Sequence, residues 1–365
     1  MKRRTLIQGL AAGGALGLAA CKPKAADCAG ADGSATGEKI QWRMYTTWPK
    51  NFPGLGTGAN HLAELITAMS GGRLTVTVYG AGERVPALEV FDAVSRGSAQ
   101  MGHGGAYYWK GKMPAAPFFT AVPFGLTAQE MNGWLHYGGG MELWRELYAP
   151  FGVLPFNGGN TGTQMGGWFR KPVQSVADLK GLKMRMPGLG AEVINRLGAV
   201  AVNVPGGEIF TALSSGAIDA TEWVGPYNDL AFGFYKAAKF YHYPGWHEPS
   251  ACLEAIVNAE AYAAMPQDLQ QIVAGACEAT SHNMLAEFTA RNQQALRQLV
   301  DEHGVQLVPF PDDVLAALRE TADAVVRELA ETDEMAGKVY ASYQAYKQQV
   351  RRSTELGEQA YLGAR

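Results

Sequence analysis

Cysteine is scarce. The chain has four in 365 residues, and two of them, Cys21 and Cys28, precede the first periodic segment. Cys252 and Cys277 remain for the globular part, with no metal-ligand spacing around them. An oxidising compartment permits a bridge between them, but two cysteines in a large domain more often sit as small buried hydrophobes. Charge is sparse too: 18% of residues, a formal net charge of −3 and no basic run after residue 4. That gives no support for a nucleic-acid partner. No apolar run reaches the length that spans a bilayer. A G-x-S-x-G elbow, a P-loop and a G-x-G-x-x-G after a strand are all missing, and no Ser/His/Asp set announces itself, so no enzyme signature is present. His242 and His247, in "HYPGWHE", have Pro-Gly between them and are too irregularly spaced for a zinc pair. Internal repeats are absent.

What is present begins with an export signal. "MKRR" is a basic n-region, "TLIQGLAAGGALGLAA" an apolar h-region, and Leu18-Ala19-Ala20-Cys21 follows. The last four residues resemble a bacterial lipobox, in which the cysteine is lipidated and becomes the new N-terminus. The alternative is an ordinary secretory signal with Cys21 incidental. Arg3-Arg4 also fits a twin-arginine signal. Residues 22–38, rich in Ala, Gly, Asp and Ser, read as a flexible tether.

From residue 39 the periodicity alternates. "QWRMYTTW" and "RLTVTVYG" have strand alternation. "GANHLAELITAMS" between them puts Leu62, Leu65, Ile66 and Met69 at helical spacing. "PALEVFDAVSRG" predicts a second helix and "AQMGHGG" a strand, which together open a β-α-β-α-β lobe with a parallel sheet. The pattern resets near Gly158. "TQMGGWFR", "LKMRM", "VNVP" and "AIDATEWVG" read as strands, and "GLGAEVINRLGA" and "GGEIFTALSSG" as helices. Ser175 and Asp178 form a capping box on "SVADLKG". "CLEAIVNAEAY" reads as a returning strand, and helices follow over 266–303, 311–331 and 333–362. The last of these aligns Met335, Val339, Tyr343, Tyr346 and Val350 in one stripe that needs a partner, either the body of the chain or a second subunit. The expected fold is α/β, a two-lobe periplasmic-binding-protein architecture with long C-terminal helices and a ligand cleft between the lobes. Lobe I takes residues 39–157 and 246–295, lobe II takes 158–245 and 296–331, and 332–365 form a C-terminal helix.

Three signals fall in or beside the second lobe. Gln164 sits among glycines in "GGNTGTQMGGWFR", where backbone and side chain approach a small ligand closely, unless this is only a Gly-rich turn. Arg185 ends a short apolar strand, where an arginine is costly unless an anion waits for it. That anion is either a ligand carboxylate or a structural partner such as Asp178 or Glu192. Glu222 lies between Thr221 and Trp223, a poor place for a solvated acid; the plain alternative is an acid satisfied by backbone amides. Asp219 reads as a turn residue. An arginine can hold a carboxylate through two parallel hydrogen bonds. Glu222 would repel that carboxylate unless a cation lay between them. Oxygen ligands from Gln164, Glu222 and a backbone carbonyl suit a hard cation, Na⁺ or Ca²⁺. Glu248 is a further candidate for the cleft, and the aromatics of "YYW" (107–109) and "TTWP" (46–49) are core residues or cleft walls.

"NTGTQMGGWFR", "LKGLKMR" and "GAIDATEWVGPYNDLAFGFYKAAKFYHYPGWHE" together resemble the substrate-binding proteins of tripartite ATP-independent periplasmic (TRAP) transporters. The resemblance runs from about Gln41 to the C-terminal helix, and the nearest branch binds 2-oxo monocarboxylates such as pyruvate. It implies that Arg185 clamps the ligand carboxylate and that Gln164 touches both ligand and cation. Glu222 and the Trp223 carbonyl are then cation ligands, with Glu248 approaching the ligand from the other side. The cation implied is sodium, with calcium in lactate-binding cousins. The partners implied are a membrane permease and, through the last helix, a second copy of the chain. The implied location is the periplasm, with anchoring through lipidated Cys21. The pattern departs from close relatives at the lipobox and at His247, where an aromatic is common. Lactate or a dicarboxylate is the alternative ligand; a small-acid hydrolase or lyase and a sensory receptor are the alternative functions.

Overall fold

A computed structural model of the chain describes residues 39–365. The signal peptide, Cys21, Cys28 and the tether lie outside the described residues. The first run is β1 (Ile40–Thr46), α1 (Leu55–Met69), β2 (Leu74–Tyr79), α2 (Val90–Ser95) and β3 (Met101–Gly104). Of the predicted stripe on α1, Leu62 and Ile66 are buried, while Met69, its last residue, is 49% exposed. Two helices that the periodicity did not announce, α3 (Ala128–Tyr137) and α4 (Gly140–Tyr148), lead into β4 (Val153–Asn160). Then come β5 (Gly167–Phe169), β6 (Lys183–Arg185), α5 (Gly188–Arg196), β7 (Val200–Val202), α6 (Gly206–Ser215), β8 (Ala220–Thr221), α7 (Pro226–Phe232) and β9 (Phe240–Tyr243). The chain finishes with β10 (Cys252–Asn258), α8 (Ala259–Ala263), α9 (Gln267–Asp301), β11 (Gln306–Pro309), α10 (Asp312–Ala330), α11 (Glu334–Thr354) and α12 (Ala360–Ala364).

These strands form two sheets. The first has the order β2-β1-β3-β10-β4, the second β11-β9-β5-β8-β6-β7. The expected parallel sheet is mixed, because β10 returns from the second sheet and runs antiparallel to both β3 and β4. Several strands are shorter than the sequence suggested. "AIDATEWVG" pairs only at Ala220–Thr221, and "TQMGGWFR" only at Gly167–Phe169. The returning strand ends at Asn258, whose Oδ1 accepts the Ala261 N–H at 3.0 Å and caps α8. "VNVP" is displaced, with pairing at Val200–Val202 instead.

The long predicted last helix is α11, then a π-helical turn at Glu355–Gln359, then α12. Its stripe packs on the body of the same chain: Val339 and Tyr343 are fully buried, with Met335, Tyr346 and Val350 against the same cluster. Cys252 and Cys277 are free and buried, as small hydrophobes. Among the described residues no helix is long and apolar enough to cross a membrane.

Candidate functional site

The second sheet brings two of the candidate side chains together. β6 and β8 are parallel neighbours, with Arg185 opposite Thr221. Arg185 is the last residue of β6 and Glu222 is the first residue beyond β8, whose N–H donates to the Arg185 carbonyl at 3.3 Å. Both side chains therefore emerge at the carboxyl ends of parallel strands, where open α/β sheets form ligand crevices.

The other candidates lie on the two segments that cross between the sheets. Gln164 is on the passage from β4 to β5, and His247 and Glu248 are on the return from β9 to β10. Backbone bonds tie the crossings: Gln164 N–H to Glu248 O (3.2 Å), Gly245 N–H to Gln164 O (3.1 Å) and Gly166 N–H to His242 O (2.8 Å). At Gly245 the approach is so close that a Cβ would lie 2.2 Å from the Gln164 carbonyl oxygen.

Arg185 is 1% exposed. Its Nη1 ion-pairs with Glu222 Oε1, its Nε donates to Val204 O at 3.3 Å, and its guanidinium lies 5.1 Å from the Trp223 ring centre. The neighbouring carboxylate is thus Glu222, not Asp178 or Glu192. Asp178 accepts the N–H groups of Gln174 and Ser175, and Glu192 pairs with Arg196 one helical turn away. Gln164 Nε2 donates to Glu248 Oε2 (2.7 Å) and to Thr161 Oγ1 (3.2 Å). Asp219 accepts the Lys183 N–H at 3.1 Å and is a structural tie.

Eleven buried side-chain polar atoms lack a hydrogen bond among the described residues, and five of them lie here: Gln164 Oε1, Arg185 Nη2, Glu222 Oε2 and both ring nitrogens of His247. His247 Nε2 is 3.3 Å from Glu222 Oε2, within ion-pair range but outside hydrogen-bond geometry. Buried polar atoms are nearly always paired, so this concentration marks a site rather than a core. Burial pushes the Glu248 carboxyl well above the usual carboxylate range, the Glu222 charge adds to this, and Arg185 opposes it. Burial works against the charged form of Arg185, yet Glu222, Tyr108 and Tyr107 raise its pKa above the ordinary value.

Beside this polar group is a small cavity lined by Trp48, Tyr107, Tyr108, Thr161, Gln164 and Trp223. The aromatics of "TTWP" and "YYW" therefore include cavity walls, whereas Trp109 points into the core and donates to Glu254. Trp223 is edge-on to Trp48 and its Nε1 donates to Asn228 Oδ1 at 3.3 Å.

The sequence reading set His247 aside as half of an irregular zinc pair and did not single out His103. His247 completes a cluster with Glu222 and Glu248, one potential ligand atom from each lying within 4.8 Å of the others. The signal was its place beside Glu248. His242, the residue it was weighed with, is held elsewhere between Phe169 and Phe310 and accepts the Val173 N–H at 3.2 Å. His103 fixes the wall residue Trp48: Nδ1 accepts the Trp48 Nε1–H at 2.7 Å, and Nε2–H donates to Gly158 O at 3.1 Å. Burial lowers its pKa to about 4, which keeps this tautomer neutral.

Comparison with known proteins agrees with the fold. A monocarboxylate 2-oxoacid-binding periplasmic protein of Nostoc sp. is 44% identical over 324 residues, covering 88% of each chain. A TRAP solute-binding protein from Pseudoalteromonas atlantica, solved with bound sodium and pyruvate, has a TM-score of 0.87 at 45% identity, over 90% of this chain and all of that one. One from Colwellia psychrerythraea, solved with calcium and pyruvate, also has a TM-score of 0.87, at 43% identity and the same coverage. The model of the DctP family, bacterial extracellular solute-binding protein family 7, matches residues 45–333, and the chain belongs to that family.

Proposed function

We infer that this protein is the extracytoplasmic receptor of a TRAP-type transporter that binds a small 2-oxo monocarboxylate together with a cation and delivers it to a membrane permease. The observation that carries the reading is Arg185: a fully buried guanidinium with Nη2 unpartnered, at the strand ends, beside the cavity. A carboxylate there accepts what Glu222 leaves free. Gln164 Oε1, Glu222 and the Trp223 carbonyl are the cation ligands, and Glu248 meets the ligand from the return crossing. The fit with a cation rests on the unpartnered Gln164 Oε1 and Glu222 Oε2, both acceptors that a cation satisfies. With Glu248 protonated, one Arg⁺, one Glu⁻, a monovalent cation and the ligand anion balance; with Glu248 ionised, a divalent cation does. The relatives solved with sodium and with calcium span both cases.

No covalent chemistry is required. Binding energy draws the two lobes together about the paired crossings, with the lobe limits given above, and the permease supplies the coupling. The chain acts in the periplasm, anchored by a lipid on Cys21. The C-terminal helix, residues 332–365, pairs with a second copy; its supporting feature is the exposed apolar end, with Leu356 72% and Tyr361 67% exposed.

Tryptophan fluorescence tests the reading, because Trp48 and Trp223 line the cavity. Pyruvate and longer 2-oxoacids, then lactate and succinate, are titrated into dialysed protein with and without Na⁺ or Ca²⁺. A saturable, cation-dependent change with 2-oxoacids that is lost in Arg185→Ala is the expected outcome. No response to any monocarboxylate, or a response that survives the substitution, refutes the assignment.

A further inference from the structure

Away from the proposed ligand groups, the two sheets meet at a second place. The turn between β1 and α1 leads from the first sheet, and α7 follows β8 of the second. Phe52 of the turn, 9% exposed, stacks on Phe232 at the end of α7, with ring centres 4.1 Å apart and 27° between the planes. The same ring is edge-on to Trp223 at 6.5 Å. Beside this pair is Asn228, 0% exposed. Its Nδ2 donates to the Pro53 carbonyl at 2.8 Å, and its Oδ1 accepts the Trp223 Nε1–H at 3.3 Å. An indole nitrogen only donates and a carbonyl only accepts, so one side chain that joins them must offer one acceptor and one donor. A short carboxamide does so; a carboxylate or an aliphatic residue of that size does not.

Neither segment needs the other to keep its shape. The Pro53 carbonyl also accepts the Leu55 N–H at 2.8 Å, and the Trp48 carbonyl in the same turn accepts the Ala81 N–H at 2.8 Å. On the other side, Asp229 accepts from Trp168 Nε1, Tyr241 Oη and the Val224 N–H, and the Tyr227 N–H donates to Asn292 Oδ1. The contact between them is therefore separable. When the sheets part, Asn228 and the Pro53 carbonyl exchange each other for water, and only the aromatic faces lose their cover. Trp223 is a cavity wall, so whatever fixes its ring from behind also keeps that wall against Trp48, 6.3 Å away. Phe52 and Asn228 themselves are not among the cavity-lining residues. We propose that Asn228 is a positioning residue for ligand retention: acting through Trp223, and together with the Phe52–Phe232 stack, it clasps the cleft shut over the bound acid. The inference rests on the reading of the protein as a two-lobe solute receptor, with Phe52 and Asn228 in different lobes, and adds what sets the time for which the solute is held.

The test is stopped-flow tryptophan fluorescence on the full-length chain, with pyruvate as the probe and Na⁺ or Ca²⁺ present, whichever supports wild-type binding. Asn228→Leu removes both bonds at similar volume. Asn228→Asp keeps the acceptor for Trp223 but not the donor for Pro53, and Phe52→Leu removes the stack alone. A clasp acts after the ligand has entered. Dissociation therefore quickens on the order of tenfold in each variant, the worth of one hydrogen bond or one aromatic pair, while association stays within about twofold of wild type. Melting of the ligand-free chain, in which the cleft stands open, keeps the wild-type temperature, whereas a structural role alone would lower it. Phe52→Leu carries the test by itself if the Asn228 variants do not fold. Unchanged dissociation in Phe52→Leu and in every Asn228 variant that folds overturns the proposal. So does a loss that appears only in association, or ligand-free melting that falls as far as ligand-bound melting. No pyruvate signal in wild type with either cation refutes the receptor reading and the clasp with it; pyruvate bound with unaltered dissociation refutes the clasp alone.

Discussion

Arg185 and Glu222 form a buried ion pair behind the cavity wall residue Trp223, each side chain 1% exposed. Removing one partner of such a pair strands the other, at a cost of about 3–5 kcal/mol. Arg185→Ala therefore loses stability as well as ligand, and Arg185→Lys is the companion that separates the two. Lysine keeps the charge for Glu222 but has one nitrogen, and cannot serve Glu222 and the ligand carboxylate from separate donors as Nη1 and Nη2 do. We expect near wild-type melting for Arg185→Lys with pyruvate affinity down by about tenfold or more, the loss of one charge-assisted bond; wild-type affinity in that variant removes Nη2 as the clamp. Glu254 gives a second prediction at this scale. Burial raises its carboxyl to about 7 from 4.5, against the donors Trp109 and Tyr148. The folded chain then holds a proton that the unfolded chain has released, so this acid's contribution to stability falls as pH rises from about 4.5 to about 7. Glu254→Gln removes the titration and keeps a group that both neighbours can bond. Measured by urea denaturation, the variant gains on wild type by about 3 kcal/mol across that window and no further above it; a pH-independent difference contradicts the shift. The comparison must be made with the variant, because His103 and His242, each lowered to about 4, tilt the wild-type profile the other way. The candidates Gln164, Arg185 and Glu222 were legible in the sequence as polar residues where an apolar strand or a Gly-rich turn had no use for them; Glu248 entered only as a neighbour of His247 and through the family resemblance. The partner of Arg185 was not, since Glu222 is distant in sequence and only the parallel register of β6 and β8 makes them neighbours.

The elements that were legible are those whose periodicity is long enough to count. α1, α9, α10 and α11 carry several turns of apolar spacing, and β1 and β2 alternate over most of their length. β8 pairs over two residues and β5, β6 and β7 over three, so their existence depends on the neighbours and their limits were misjudged. β9 and β11 were missed for the same reason: their strand character is mutual, in a parallel pair that joins Phe240–Tyr243 to Gln306–Pro309. The crossings, which decide the site, have no periodicity at all and are fixed by backbone bonds between them. Gly245→Ala tests that contact. Its Cβ meets backbone rather than a movable side chain, so the crossings must separate, and we expect a loss of about 1–3 kcal/mol in chemical denaturation together with weaker ligand binding. Full stability and affinity in the alanine variant would mean that the crossings are free to part. α11 braces the same region from outside. Tyr343 Oη accepts the Leu126 N–H at 2.8 Å, and the loop containing Leu126 donates from Phe124 N–H to the Trp246 carbonyl at 2.8 Å. Tyr343→Phe strands a buried N–H next to the segment that carries His247 and Glu248. The expected loss is about 1–3 kcal/mol, read from the shift of the urea midpoint, and an unchanged midpoint argues against the brace.

For the whole molecule, the arrangement of charges predicts how the ligands depend on one another. The first sheet supplies Trp48 and the two tyrosines, the second supplies Arg185 and Glu222, and the crossings supply Gln164, His247 and Glu248. On the proposed division into lobes no single lobe holds a complete site, and the expectation is that ligand binding and lobe closure are one event. Either ion alone leaves the buried group with an unbalanced charge, which is expensive away from water. The cation and the organic acid must therefore favour each other's binding, and linkage requires the two enhancements to be equal: the factor by which the cation tightens the acid is the factor by which the acid tightens the cation. Calorimetry in both orders measures the two factors independently. We expect them to agree, at roughly 5–150-fold, and X-ray scattering to show the radius of gyration falling only when both are bound. Equal factors with no change in radius would place the coupling in electrostatics alone. A factor of one in either order would mean that acid and cation bind separate sites, and the charge argument for Glu222 as a cation ligand would fall with it.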